Sequence, residues 1–396
     1  MFYEKQPLSQ RENYKKMLSI IGNLTQLFSE SDCPYLPYRA HENIFCKYFE
    51  AENLARMDCS ADAKKCGVGI GLKTWMGQDD QKVAEFGKLR ETFADLTGMD
   101  LVRKIAEYRN ERIRITKNLN GIDTMIYHIV KRVPGAMQVL EHAFEYIDID
   151  NLTLLPERGN VNNTYFTDGN HTYHFSVSKN TLYMIFKDME LLDVFDVEIM
   201  DDPYSFLMAL MYGEESIKLP EQLFNIATAP QLPQICLRLY SVKSDGTKFV
   251  AEKSGLNQWN AGGRKRDANE VYIPYQKIDR ERDMNFFPPR DTVFNLTLPD
   301  GTVIPAKVCQ EADKNNPLIG KAIMSNPNKI LGEWLLRNVF ELPEGTVVTY
   351  EMLQRFGIDS VVFTKHSESD YSVDFAEIGT YEEFYGEENA EINTEV

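Results

Sequence analysis

The sequence predicts an α+β protein in two folded parts, an N-terminal mixed α/β part and a C-terminal mainly β part. Three observations carry this. Near the N-terminus Met17, Ile20, Ile21, Leu24 and Leu27 recur at helical spacing and give one apolar face to a helix over 11–29. From residue 235 onward the segments are instead short, aromatic and β-branched, punctuated by Gly, Pro and Asp. Between the two regimes stand Pro230 and Pro233, which read as a linker. A chain of 396 residues has room for two cores.

The elements follow in order. After the turn Cys33-Pro34-Tyr35-Leu36-Pro37 a second helix spans 40–54, with Ile44, Phe45, Tyr48 and Phe49 on its apolar face. Two short strands are expected over 58–63 and 68–75, then a break at Gly77 and a helix over 81–96. Strands return over 150–186, where Tyr173, Phe175 and Val177 alternate with polar residues and Asp168-Gly169-Asn170 marks a turn. A Leu/Met-rich helix covers 203–224, and one helix over 329–340 interrupts the C-terminal strands. The expected boundaries are therefore 1–190, a helical connector over 191–232, a β domain over 233–366 and an acidic, disordered tail over 367–396. The stretch 97–233 carries no motif; its Arg109, Arg112 and Arg114 are candidate phosphate contacts.

Bulk properties narrow the function classes. No run of about 18 apolar residues is present, and Met1-Phe2-Tyr3-Glu4-Lys5 lacks a signal peptide's apolar core, so a cytoplasmic location and no membrane association are expected. The six cysteines include no C-x-x-C pair, which argues against a zinc ribbon or a disulfide framework. A net charge of −17 disfavours a polyanionic partner on its face. Its distribution is uneven, however: ten acidic residues and no Lys or Arg follow His366, whereas eight Lys/Arg face five Asp/Glu between 253 and 290. Nucleic-acid binding needs local positive charge, and that stretch supplies it.

Two constellations carry chemistry. In the first strand pair, Asp58 and Asp62 lie four residues apart on one strand face, with Lys73 on the neighbouring strand. Phosphodiester hydrolysis needs carboxylates to hold a hard cation such as Mg2+ and a positive group to orient water or stabilise charge. Glu42 on the preceding helix and Glu85 on the expected following helix are further candidate acids. A solvated ion pair on adjacent strands would look the same, so both readings stay open; His41 reads as structural. The second constellation is the glycine-flexed arm over 254–270, with Asn257, Gln258, Asn260, Arg264, Lys265, Arg266, Asp267 and Glu270. Those side-chain types read base edges: Asn and Gln on adenine, Arg on guanine, acids on the cytosine amino group. A second polar arm carries Ser325, Asn326, Asn328 and Lys329 ahead of an apolar helix. Two such arms on a β scaffold would grip a major groove of double-stranded DNA.

These motifs carry family resemblances. Ser60-Ala61-Asp62-Ala63 followed by Val68-Gly69-Ile70-Gly71-Leu72-Lys73, in helix–strand–strand order, resembles the PD-(D/E)xK nuclease superfamily. That resemblance implies metal binding at Asp62 and a catalytic role for Lys73. The family's acid two residues before the lysine is here Gly71, so Asp58, Glu85 or Glu42 would have to replace it. Residues 256–364 resemble the C-terminal domain of a restriction-endonuclease family built on the pseudobarrel of plant "B-three" transcription factors. The matching stretches are Gly255-Leu256-Asn257-Gln258-Trp259-Asn260, 263–274, Phe286-Phe287-Pro288-Pro289-Arg290-Asp291, Leu298-Pro299-Asp300-Gly301, Lys307-Val308-Cys309-Gln310 and 324–329. Some relatives carry a phospholipase D-type nuclease instead, but none of the six histidines here has the lysine two residues on that its H-x-K motif requires. The resemblances together imply a type II restriction endonuclease: Mg2+-dependent, acting on double-stranded DNA, a homodimer, and paired with a protecting DNA methyltransferase. The alternative is a non-catalytic, sequence-specific DNA-binding protein.

Overall fold

β-branched and aromatic alternation dominates the chain, and sheets organise it throughout. The structure, a computed structural model, describes residues 1–54, 59–77, 80–160, 162–212, 232–314 and 316–386. It divides into two units, one from Met1–Ala55, Ser60–Asn110 and Ile122–Pro230, the other from Arg56–Cys59, Glu111–Gly121 and Gln231–Val396.

The first unit contains helices α1 (Leu8–Asn23) and α2 (Tyr38–Phe49), the first half of α3 (Gly98–Asn120) and α4 (Pro203–Tyr212). Its strands are β1 (Glu52–Asn53), β2 (Ala63–Lys65), β3 (Val68–Met76), β4 (Asp80–Glu85), β5 (Thr124–Val133) and β6 (Ala136–Ala143), then β7 (Thr153–Leu154), β8 (Asn163–Thr167), β9 (Thr172–Ser176), β10 (Thr181–Ile185) and β11 (Glu190–Asp196). A six-stranded sheet runs β1-β2-β3-β5-β6-β11, and a five-stranded one β4-β10-β9-β8-β7. Among the described residues of this unit only β3 and β5 pair in parallel, and such a pair needs a long crossover; β4 and α3 supply it. The apolar faces of α1 and α2 bury Tyr14, Leu18, Ile44, Phe45 and Phe49 in one core with Ile70, Leu72 and Val130 of the sheet. A polar chain threads this core. The Tyr14 hydroxyl lies 2.8 Å from His41 Nε2 and 2.9 Å from His128 Nε2, and Glu141 accepts from the backbone N–H of Phe2 and Tyr3. His41 is thus structural.

Three expectations are corrected here. The helix over 81–96 is absent: 80–85 form β4, paired antiparallel with β10, and a short 3-10 turn follows at Gly87–Thr92. Pairing with β10 outweighs the helix propensity of Gln81, Lys82 and Glu85. The strand over 58–63 begins only at Ala63, and Asp58 lies outside the described residues. The helix over 203–224 is described as far as Tyr212, so its remainder, with Pro230, also falls outside.

The second unit has β12 (Gln234–Arg238), β13 (Ser241–Val242), β14 (Lys248–Phe249), β15 (Ile273–Pro274), β16 (Val293–Thr297), β17 (Val303–Asp313), β18 (Asn316–Ser325), β19 (Ile358–Lys365) and β20 (Asp370–Glu377). Helices α5 (Lys277–Arg282), α6 (Tyr350–Phe356) and α7 (Thr380–Tyr385) join them, with a helical run over Ile330–Gly332 and Glu333–Val339. Seven strands in the order β12-β19-β20-β16-β17-β18-β15 form a nearly closed, barrel-like sheet. Its core gathers Leu237, Ile273, Phe286, Phe287, Leu296 and Phe363, together with Ile115 and Leu119 from the end of α3.

The expectation of a disordered tail over 367–396 is corrected as far as residue 386, and 387–396 lie outside the described residues. Strand β20 lies inside the sheet, antiparallel to β19 and parallel to β16, with Tyr371, Val373 and Phe375 buried. Beyond it α7 is fastened by Tyr381, which donates to Asp279 at 2.6 Å, and by Glu382, which accepts from Tyr240 at 2.7 Å. Beside this helix Asp359 of β19 is fully buried, with the Tyr350 hydroxyl at 3.1 Å and Lys248 at 4.0 Å. Burial pushes its carboxyl up from 3.8 to about 6, against the pull of Lys248 and Tyr350.

Two outcomes follow from this packing. Ending the chain after Ser369 removes the fully buried side chains of Tyr371, Val373, Phe375 and Tyr381, each worth about 1.5–3 kcal/mol, from a domain of ordinary marginal stability. The truncated chain should lose the cooperative unfolding transition of its second unit in a urea titration followed by tyrosine and tryptophan fluorescence; an intact transition would show β20 to be dispensable. For Asp359, a raised folded-state pKa means its contribution is complete below 3.8 and is lost as the pH rises through about 6. Asp359→Asn should therefore be more stable than wild type at pH 8 by about 1–3 kcal/mol, and nearly equal to it below pH 4. Urea midpoints at both pH values check this, and a destabilised variant at pH 8 would contradict it.

Candidate functional site

The first candidate site sits where α2 meets the start of the six-stranded sheet. The backbone at Asp62 already pairs like a strand: its N–H donates to Ile70 O and its carbonyl accepts from Leu54 N, both at 2.9 Å. Its Oδ2 accepts from Leu72 N at 2.6 Å, which aims the carboxylate along β3 toward Lys73. Glu42 of α2 is nearly buried and takes a hydrogen bond from Arg39 Nη1 at 2.9 Å. Asp62 and Lys73 both shift the titration of Glu42, and Asp62 and Glu42 both shift that of Lys73. Burial pushes both carboxyls up and the Lys73 ammonium down. Lys73 opposes the shift of Asp62, and Asp62 opposes that of Lys73.

Gly71 has a structural reason. A Cβ there would lie 2.9 Å from Cδ1 of Tyr127, whose ring stacks on Phe144 at 4.1 Å between centroids. The space that the family's acid would occupy is filled by that aromatic pair. Tyr127 also lies beneath the Lys73 ammonium, 6.0 Å from Nζ to ring centroid, and accepts from Arg109 Nη2 at 3.0 Å. Arg39, Arg109 and Tyr127 are residues that sequence reasoning did not place in this pocket. Arg109 is buried and also donates to Glu145 O, so it is no surface phosphate contact; Arg114 is held by Phe340 O and Glu341.

Glu85 departs from expectation. It ends β4 on the other sheet, exposed and ion-paired with Lys82 at 2.5 Å. Among the described residues, no three His, Cys, Asp or Glu side chains gather closely enough to cage an ion. Mg2+ asks for less: it keeps several waters and is commonly held by one or two carboxylates. Glu42 and Asp62 fit that demand as hard oxygen donors.

The two polar arms form the second candidate site, in the second unit, and burial sorts their residues. Asn257 is fully buried; its Nδ2 donates to Ala251 O and Val348 O, and its Oδ1 accepts from Val348 N. Gln258 is buried as well, and Asn260 donates to Glu252 O. Buried Ser325 closes the second arm, donating to Pro327 O and accepting from Leu331 N. Asn257 and Ser325 therefore build the arms, and their expected contact with bases is corrected: no polar atom is left over. Glu270 is fully buried and occupied by internal donors, so it is not free to accept from a cytosine amino group. Arg264, Lys265, Asp267, Asn326 and Lys329 are exposed; Arg266 and Asn328 are partly buried. Asp267 accepts from Asn269 N in a local turn.

This scaffold and its arms have a counterpart. Residues 232–367 match the NgoFVII C-terminal B3-like DNA-binding domain. That segment covers about a third of the chain and stops just short of β20. The matched family is one of restriction enzymes, and the likeness of this segment to its B3-like DNA-binding domain supports DNA as a partner. No curated protein matches the chain. None of the helices among the described residues is long and apolar enough to cross a membrane.

Asn257→Ala tests the division between building and reading in the B3-like domain. It orphans three buried backbone groups, which should cost about 3 kcal/mol or more in the second unit's unfolding free energy. The preference among DNA sequences, measured by competition binding below the new melting point, should not change. A shifted preference at unchanged stability would return Asn257 to the reading residues.

Proposed function

We propose that this protein is a type II restriction endonuclease that hydrolyses double-stranded DNA with Mg2+ at Glu42, Asp62 and Lys73. The observation that carries the proposal is the convergence of those three side chains in a chain whose second unit is a B3-like DNA-binding domain. Glu42 and Asp62 would hold the ion, which when bound supplies Lewis acidity at phosphorus and a more acidic water. Lys73, its ammonium drawn toward neutrality by burial and held by Asp62, orients the attacking water and meets charge building on the phosphoryl oxygens. Tyr127, braced by Arg109 and Phe144, fixes the lysine from below. Arg39 caps Glu42 in the free protein and neutralises a carboxylate that would otherwise repel phosphate. Asp58, four residues before Asp62, is a further metal-ligand candidate outside the described residues.

A homodimer with a partner DNA methyltransferase belongs to this reading, because one pocket faces one strand and host DNA must be protected. Exposed Tyr204, Phe206 and Met208 on α4 offer an apolar surface for self-pairing. The localisation that fits is cytoplasmic.

The test is cleavage of plasmid and genomic DNA in Mg2+ against EDTA. Wild type should give discrete fragments only with the ion. Asp62→Ala and Lys73→Ala should each cut roughly 100-fold slower or worse, and DNA binding in EDTA should stay within a factor of two. Near-wild-type cutting by either variant would overturn the pocket. Binding without cleavage by the wild-type protein would favour the non-catalytic DNA-binding reading.

A further inference from the structure

The two arms of the B3-like domain meet at one side chain. The carboxylate of Glu270 has no exposed surface, yet four donors converge on it. Its Oε1 accepts from Arg264 Nη2 at 2.5 Å, from Arg266 Nη1, and from the Tyr272 hydroxyl at 2.7 Å. The other oxygen, Oε2, accepts from Asn328 Nδ2 of the second arm at 2.8 Å. A second tie runs parallel to it. Arg337, on the helical run after the second arm, donates to Asn269 Oδ1 at 2.8 Å and to Ala268 O at 2.9 Å. Gly332 in the same run lets the Asn269 carbonyl approach so closely that a Cβ would lie 1.9 Å from it.

The two arginines are not equivalent. Arg266 is set into the fold: its Nε donates to Ala261 O, its Nη1 to Glu270, and with its side chain 13% exposed its other N–H groups have little access to a partner. Arg264 is 50% exposed and is held at Nη2 and, through Lys265 O, at Nη1, which leaves three of its five N–H groups for a partner. Reading guanine bidentately takes two. An arginine tethered at one corner of its guanidinium also loses less freedom on binding than a free one.

We propose that Glu270 is a positioning residue that locks both arms into one reading geometry, with Arg264 the base-reading arginine and Arg266 its structural brace. This rests on the reading of the arms as sequence-specific. Because one carboxylate spans the arms, disturbing it must alter base preference on both sides of the site together, which a generic stability defect would not do.

The experiment is selection of the full-length protein on a pool of randomised duplex DNA in EDTA, followed by affinity measurements on the enriched sequence and its single-base variants. Arg264→Ala should erase preference at one base pair, by roughly ten-fold or more, with the melting temperature unchanged. Arg266→Ala should lower the melting temperature and weaken all sequences evenly. Glu270→Gln and Asn328→Ala should flatten preference at base pairs on both sides of the position lost in Arg264→Ala. If Glu270→Gln does not fold, Asn328→Ala, which removes only the second-arm tether, decides the point. A folded Glu270→Gln or Asn328→Ala that keeps the wild-type preference overturns the positioning role, as does loss of a single base preference in Arg266→Ala but not in Arg264→Ala. If the wild-type protein enriches no sequence, the sequence-specific reading fails and this inference fails with it; enrichment by wild type followed by unchanged variants defeats this inference alone.

Discussion

A charge taken out of water must be answered by an opposite charge or by several donors, and both candidate sites of this protein are organised by that requirement. In the first unit Asp62 is answered by Lys73 and by Leu72 N, and Glu42 by Arg39. In the second, Glu270 is answered by two arginines, a tyrosine and an asparagine. The solutions differ in a way that suits their proposed tasks. Glu270 has both carboxylate oxygens engaged by donors of its own domain and no exposed surface, so it is part of the scaffold. Asp62 and Glu42 each keep an oxygen for which no hydrogen bond is described in that pocket, which is what an ion would require.

The parallel pairing of β3 with β5 links the fold to the pocket. It places Gly71 directly beside Tyr127 and, two residues on, Lys73 beside Ile129. Residues two apart share a face, so Lys73 rises next to the Tyr127 ring that Gly71 admits. The glycine that departs from the family pattern and the tyrosine that supports the lysine are thus one packing decision. A carboxylate at position 71 would need the Tyr127–Phe144 stack to open. With that route closed, the proposed second acid is Glu42 of α2, whose titration Asp62 shifts.

How much was legible depended on whether the signal was local. Helices α1 and α2, the β3 strand, the strand run over 150–186 and the helix before Phe340 all follow from periodicity within one element. The B3-like domain was legible because its arms are contiguous and rich in residues that read bases. What failed was non-local. Residues 80–85 look helical until β10 pairs with them. Nothing local distinguishes Asn257, fixed to Val348 ninety-one residues away, from an exposed Asn such as Asn326. Arg109 read as a surface cation because its partners, Tyr127 and Glu145, lie beyond α3 in sequence. The region 97–233, which carries no functional motif as sequence, supplies β5 and β6, two interior strands of the six-stranded sheet.

The C-terminal acids show how composition misleads and why a net charge of −17 is compatible with a DNA partner. Their density hides an alternation of period two: Tyr371, Val373 and Phe375 point inward while Asp370, Ser372 and Asp374 point the other way. Several of these acids are acceptors within the fold. Asp370 takes Asn295 Nδ2 and two serine hydroxyls, Glu382 takes Tyr240 and Lys248, and hydrogen bonding holds the carboxyl of each below its usual range. The charges of Asp370 and Glu382 are thereby fixed opposite their partners, on β20 and α7. On the arms, by contrast, Arg264, Lys265 and Lys329 stay exposed, with Lys253 nearby in sequence. Screening over about 8 Å at physiological salt lets such a local field act on a phosphate almost regardless of acids held further away. What matters for a DNA partner on this reading is where charge is anchored, and β20, α7 and Glu270 fix that placement within the second unit.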